Sequence, residues 1–243
     1  MNVVKALFMK QAVDLPKNFT VLSLFIMWPV MGLLFGQFMP EPIGIQMANF
    51  AGILIGSGPM VAIANNVAED VEYKGLRFLV MAGVKPWQYI LGMTLFFAII
   101  TAVTLAIMAV MGGFTGQLLL WLCILSILGI ISSSLLGGAI GIFSKNVQQA
   151  SAYYTPAMML LAFVPMIAMF NETVAQFAQF LFSYQIGAVL FPLVMQAHPE
   201  LLEYAGEMAA DPDYMRAIII MAANALVLLA LFIAAYKKKG LRG

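Results

Sequence analysis

The sequence predicts an all-α integral membrane protein with six transmembrane helices, an N-terminal interfacial helix and a re-entrant outer hairpin between spans five and six. Three observations predict it. Of 243 residues, 63% are hydrophobic and only 9% charged, whereas a soluble domain carries roughly 25% charged residues. Such a chain cannot cover itself with water-compatible surface. Its long apolar stretches have the ~20 residues that cross a bilayer. Threaded alternately through a membrane, they leave eleven of the twelve Lys and Arg residues on one side.

Taken in order, residues 2–16 are too polar to span. Val4, Leu7, Phe8, Gln11 and Leu15 recur at helical spacing, while Lys5, Lys10, Asp14 and Lys17 fall largely on other faces. That pattern predicts a helix in the interface plane, ended by Pro16. The spans read as 19–38, 47–66, 88–111, 118–143, 151–170 and 216–236. Trp28-Pro29 lies inside the first, where neighbouring helices can resatisfy a broken backbone bond. Gly32 and Gly36, Gly52 and Gly56, and the ladder Ser133, Gly137, Gly141 space small residues one turn apart. They read as ordinary close helix packing, with a subunit interface or a moving seam as the alternative.

Residues 174–197 are also apolar enough to cross. A full crossing would carry Lys237, Lys238 and Lys239 to the side opposite the other cations, against the charge pattern. Gln176, Gln179, Ser183, Tyr184, Gln185 and Pro192 also interrupt the segment. A hairpin entering and leaving on the outer side satisfies both facts, and a seventh span is the alternative. The acidic stretch from Glu200 to Asp213 is expected to form an outer loop with a short helix. A single domain over 1–243 leaves no room for a separate soluble one. The first apolar run starts late and lacks a small-residue cleavage site, so no cleaved signal is expected.

Positive residues mark the cytoplasmic side of a membrane protein. Both termini are therefore expected in the cytoplasm, with the loop around 69–86 facing the same way. A net charge of +1 implies no nucleic-acid partner. Cys123, the one cysteine, can form no internal disulfide and no thiol metal site; a small buried apolar residue is expected there. His198, the single histidine, stands beside Pro199 and Glu200 and reads as solvated or capping. No GxxxxGK[ST] sequence is present, so the chain has no P-loop for ATP.

No Asp, Glu, Lys or Arg falls near the middle of a span, where ion-coupled carriers place them. That argues against ion-driven transport, although sodium held by carbonyls and hydroxyls stays open. Thr101, Thr104, Ser132, Ser133, Ser134 and Asn224 are polar groups inside spans, expected to bond from helix to helix. No catalytic, cofactor-binding or metal set is visible.

The densest signal is the loop from Glu69 to Trp87. Glu69, Asp70 and Glu72 open it, and Lys74 and Arg77 follow within two turns, a sequence of charges that complements a helix dipole. Asp70, Lys74 and Arg77 would share one face of a short amphipathic helix. Gly83 permits its C-cap, and Pro86 prevents continuation.

Glu69 through Leu79, with Leu76 and Leu79 as a leucine-x-x-leucine pair, then Gly83 through Ile90-Leu91-Gly92, resembles the cytoplasmic loop of ABC exporter permeases of the type-2 family. Six spans, an interfacial N-terminal helix and an outer hairpin match that family's topology. The chain departs from it at Lys74-Gly75, where many members have Gly-Thr, and at Gly92-Met93, where Gly-Lys is frequent. The resemblance implies that Glu69, Asp70, Glu72, Lys74 and Arg77 are ATPase-coupling residues on a helix that docks in a separate ATP-binding-cassette ATPase subunit. It also implies a second permease copy or paralogue, surrounding membrane lipid, and ATP and Mg held by the partner, with no cofactor in this chain. The setting would be a bacterial or archaeal cell membrane, and the cargo an amphiphilic drug, antimicrobial peptide or lipid moved outward. An ion-coupled secondary transporter or channel, a membrane-embedded enzyme, and a membrane anchor or sensor are the rival classes.

Overall fold

The computed structural model describes residues 3–38, 43–168, 171–197 and 211–239. Every regular element among them is helical: α1 Val3–Asp14, a 3-10 turn Leu15–Lys17, α2 Phe19–Phe38, α3 Ile43–Glu72, α4 Gly75–Met81, α5 Pro86–Met111, α6 Gly116–Phe143, α7 Val147–Ala168, α8 Glu172–Ala178, α9 Phe182–Ala197 and α10 Tyr214–Lys239. Six of these, α2, α3, α5, α6, α7 and α10, are long and apolar enough to cross a membrane. His198 and most of the expected outer loop lie outside the described residues, as does Arg242.

α3 is the axis of the bundle. Its most apolar stretch is 94% buried, against 17% for α2, α7 and α10. Hydropathy does not explain this, because α3 is less apolar than α2, α5, α6 and α10. Small side chains do. Ala48, Ala51, Gly52, Gly56, Ser57, Gly58, Ala62, Ala64 and Ala68 are all buried along it, so neighbours approach on every side.

A Cβ on Gly137 would overlap the Met60 carbonyl oxygen, and one on Gly141 would stand 2.8 Å from the Ala64 carbonyl oxygen. Gly32 and Gly36 face Met47 and Ile43, and Gly52 and Gly56 face Ile186 and Ser183. The small-residue ladders are thus packing seams within one chain. In lipid, where apolar contact alone gives no preference for protein over solvent, such close packing drives association.

Two ends of the bundle are chemically distinct. Lys10 meets Asp70, Glu72 accepts the Val147 N–H, and the Tyr236 hydroxyl donates to the Val84 carbonyl. These bonds gather Lys10, Lys74, Arg77, Lys85, Lys145, Lys237 and Lys238 at one end. Gln117 bonds the Tyr214 hydroxyl at 3.1 Å, Trp121 stacks on Tyr214, and Gln196 donates to Asp211. That opposite end holds Glu172, Asp211 and Asp213, with Arg216 as the cation among the described residues there.

α8 and α9 form a pair bent by 117°. α9 finishes against Asp211, and α8 starts just past the end of α7, so both arms return to the acidic end. Asn224 donates to the Phe180 carbonyl at the bend. Asn224 lies ten residues beyond Tyr214, so the bend reaches about 15 Å along α10 at 1.5 Å per residue. This fits a re-entrant hairpin, and at the bend the Gln179 and Phe180 carbonyls accept from the Gln185 and Asn224 side chains, which supplies the partners that membrane depth requires.

Three expectations are corrected. α3 does not stop near 66 but continues to Glu72, because no Gly or Pro follows Pro59 to break it. Cys123 is exposed on α6, because an apolar residue in a membrane helix faces lipid as readily as core. The in-span polar groups bond mostly within their own helices: Thr101 to Phe97, Thr104 to Ile100, Ser132 to Leu128 and Ser133 to Ile130, each hydroxyl donating to a carbonyl. Short Ser and Thr side chains reach the preceding turn more easily than a neighbouring helix. Asn224, with a longer reach, does cross.

Candidate functional site

The elbow between α3 and α5, at the basic end, holds the five residues singled out by sequence. It does not hold them as one helix. Glu69, Asp70 and Glu72 end α3 rather than open α4. The chain then breaks at Lys74, whose φ of 60° is left-handed, an uncommon backbone for a residue with a Cβ. α4 follows over Gly75–Met81, so Asp70 shares no helix face with Lys74 and Arg77.

The stop after α4 falls where the sequence placed it. Gly83 has φ 79°, its N–H bonds the Val80 carbonyl, and the Val84 N–H bonds the Leu79 carbonyl, both at 3.0 Å. This is the Schellman closure that a C-terminal glycine allows. Pro86 then opens α5, and the Gln88 side chain accepts the Lys85 N–H at 2.9 Å.

The acids at the C-terminal end of α3 are misplaced for its macrodipole, which favours cations there. Two of them are compensated by other elements. Asp70 is only 7% exposed. Lys10 of α1 reaches its Oδ1 at 2.5 Å, and the buried Tyr89 hydroxyl of α5 donates to its Oδ2 at 2.8 Å. Gly75 leaves the space it needs, since a Cβ there would stand 3.3 Å from Oδ1. Glu72 is exposed, and its Oε2 accepts the Val147 N–H at 3.1 Å. Its charge therefore sits at the N-terminus of α7, the favourable pole of a second helix. Glu69 points outward.

The three carboxylates thus differ in role. Glu69 and Glu72 face outward, whereas Asp70 is buried as the joint of α1, α3 and α5. Lys74 and Arg77 are exposed, as are Tyr73 at 74%, Phe78 at 66% and Met81 at 65%. α4 anchors itself through buried Leu76 and turns a mixed cationic and aromatic face outward.

Sequence reasoning missed Tyr89 and Tyr236. Their rings lie 6.3 Å apart, and Tyr236 ties the last span to Val84 just past α4. A lone tyrosine near a span end also reads as an interface anchor, so no sequence signal separated them. Among the described residues no cluster of His, Cys, Asp and Glu could hold a metal ion. The elbow is linked by side-chain bonds to α1, α5, α7 and α10.

No curated protein and no solved structure matches the chain. A family model described as ABC-2 family transporter protein matches residues 42–234. The match runs from just before α3 to near the end of α10 and includes the elbow and the bent pair. The chain therefore belongs to the ABC-2 family of transporter proteins, as a membrane-spanning permease subunit.

Proposed function

We propose that this permease is the transport path of an ATP-driven exporter, powered by a separate ATP-binding-cassette ATPase that docks on α4. The observation carrying this is the outward face of α4 and its flanks: Tyr73, Phe78 and Met81 exposed beside Glu69, Lys74 and Arg77. Large apolar groups exposed beside charges mark a contact surface. The basic end faces the cytoplasm under the positive-inside rule, which puts both termini and α4 on the side where ATP is found. ATP and Mg are held by the partner. A second permease copy, identical or a paralogue, completes the path through a bacterial or archaeal cell membrane.

Movement of the docked ATPase is read by five residues with three distinct tasks. Glu69, Lys74 and Arg77 contact it. Asp70 passes the displacement to α1 and α5, and Glu72 passes it to α7, so the helices rock together and open the acidic end near α8 and α9.

Retention of the co-expressed ATPase on immobilised permease tests this. Glu69→Ala with Arg77→Ala removes two exposed charges and no buried contact, and Phe78→Ser removes the aromatic contact. Each change should lower affinity about tenfold or more, since charge-assisted bonds in a docked groove contribute about 1.5–3 kcal/mol each. Glu172→Ala, at the far end, should leave retention unchanged. Equal loss from that control sinks the docking role of α4.

A further inference from the structure

At the acidic end, α3, α7, α8, α9 and the start of α10 enclose a cavity of about 700 Å³. That lies within the ~300–1,000 Å³ of sites that hold a drug-sized molecule. Its deep walls are apolar, with Ile53, Leu161 and Phe191. Ser183 and Leu161 both stand over Gly56, at 3.3 and 3.8 Å from where its Cβ would be. Gly56 is thirteen residues along α3 from Ile43, about 20 Å at 1.5 Å per residue, so the floor lies deep in the bundle.

The rim carries Glu172, Asp211 and Asp213 against Arg216. Arg216 directs its guanidinium to the Gln179 side-chain oxygen. Asp213 accepts the Arg216 backbone N–H at 2.9 Å, and Asp211 accepts a Gln196 side-chain N–H at 3.1 Å. These donors are neutral, and among the described residues the ion pair is Lys10–Asp70, so no salt bridge cancels the rim carboxylates. Among the described residues lining the cavity, three carboxylates stand against the single guanidinium of Arg216. A concave site with low-dielectric walls and a net negative mouth concentrates cations.

Two further observations decide what kind of ligand fits. Ser183 is part of the cavity wall, is only 3% exposed, and its buried hydroxyl has no hydrogen-bond partner. A buried polar group left unpaired in a native fold calls for a partner, and a ligand in the cavity would supply one once the Ser183 side chain turns toward it. The rim acids do not converge as metal ligands, since no such cluster exists among the described residues. A bare inorganic cation would also leave the apolar depth unfilled.

We infer that this cavity binds an amphiphilic organic cation, with its charge among Glu172, Asp211 and Asp213 and its apolar body against Ile53, Leu161 and Phe191. Tyr184 and Phe191 on α9 add aromatic faces of the kind that attract an organic cation. The inference deepens the exporter reading by naming the charge class of its cargo, and it rests on that reading for the word cargo alone. The cation would leave the membrane interior toward a mouth of opposite sign, which lowers its energy along the outward path.

Tetraphenylphosphonium and tetraphenylborate have nearly the same shape and opposite charge, so they isolate the electrostatic part. Binding of each to the full chain in nanodiscs is measured against empty nanodiscs. The phosphonium should bind at least tenfold more tightly than the borate, after subtracting lipid partitioning. Glu172→Gln, Asp211→Asn and Asp213→Asn combined keep the hydrogen bonds at the rim, Asn being a good helix cap. They should lower phosphonium affinity tenfold or more and leave the melting temperature in place. Ala188→Trp, which fills the cavity from α9, should abolish binding of the phosphonium with the rim intact. Equal binding of the two ions, or phosphonium affinity unmoved by the triple change, overturns the site. Phosphonium that binds in this way and yet neither stimulates the ATPase nor crosses the membrane in the reconstituted complex overturns its role as cargo while the site stands.

Discussion

Lys10 of α1 and Asp70 of α3 meet at 2.5 Å although sixty residues separate them in the chain. The contact fixes an N-terminal helix to the elbow of the second span. Lys10 remains 41% exposed at its side chain while Asp70 is 9% exposed, so the buried partner has more to lose. Asp70→Asn should destabilise by about 1.5–3 kcal/mol, the range for a hydrogen bond to a charged group. Lys10→Met should cost less, about 1 kcal/mol, because Tyr89 still bonds the carboxylate and solvent reaches it. A double-mutant cycle by denaturant titration in detergent should show coupling of about 1 kcal/mol. Additive effects would mean that the pair does not interact.

Lys74 separates fold strain from docking. Its left-handed φ of 60° costs about 1–2 kcal/mol for a residue with a Cβ. Lys74→Gly should therefore raise the melting temperature while lowering ATPase retention, because the ammonium is lost. Lys74→Val should lower both. A lower melting temperature for the glycine variant would show that the backbone there is unstrained.

The seam between α3 and α6 should be intolerant of one methyl group. At Gly137 the added Cβ overlaps the Met60 carbonyl oxygen, and a backbone cannot rotate aside as a side chain can. Gly137→Ala should cost about 1–3 kcal/mol by overpacking. Gly52→Ala, whose Cβ would rest 3.6 Å from Ile186, should be neutral or stabilise by up to about 1 kcal/mol through helix propensity. Thermal inactivation of the two variants in parallel checks the contrast.

Topology is read with single cysteines on a Cys123→Ser background, since Cys123 is exposed and would otherwise react. Lys85→Cys should label only from the cytoplasmic side and Asp213→Cys only from outside. Native Cys123, seven residues into the apolar α6, should react with a membrane-permeant maleimide and not with a charged one. Labelling of positions 85 and 213 from the same side would remove the orientation assigned here.

Hydropathy, charge parity and backbone breakers were sufficient for the topology. The α2 limits and the end of α6 fell where apolar length put them, and Gly83 and Pro86 placed the stop of α4 and the start of α5. The count of cations on each side favoured a hairpin over a seventh span at 174–197, and the bent pair fits that reading. These are properties that each segment carries locally, in its own composition. What tertiary structure alone decided is which helix is central and which charges are buried. Lipid and protein interior solvate an apolar side chain alike, so hydropathy does not separate the enclosed α3 from α2 or mark Cys123 as exposed; the small side chains of α3 permit its central place, and only packing set neighbours on every side of it. Asp70 looked like its neighbours Glu69 and Glu72, because the Lys10 ammonium and Tyr89 hydroxyl that bury it come from distant parts of the chain. A charge is tolerable in a low-dielectric place only once its partners arrive, and packing, not sequence spacing, brings them there.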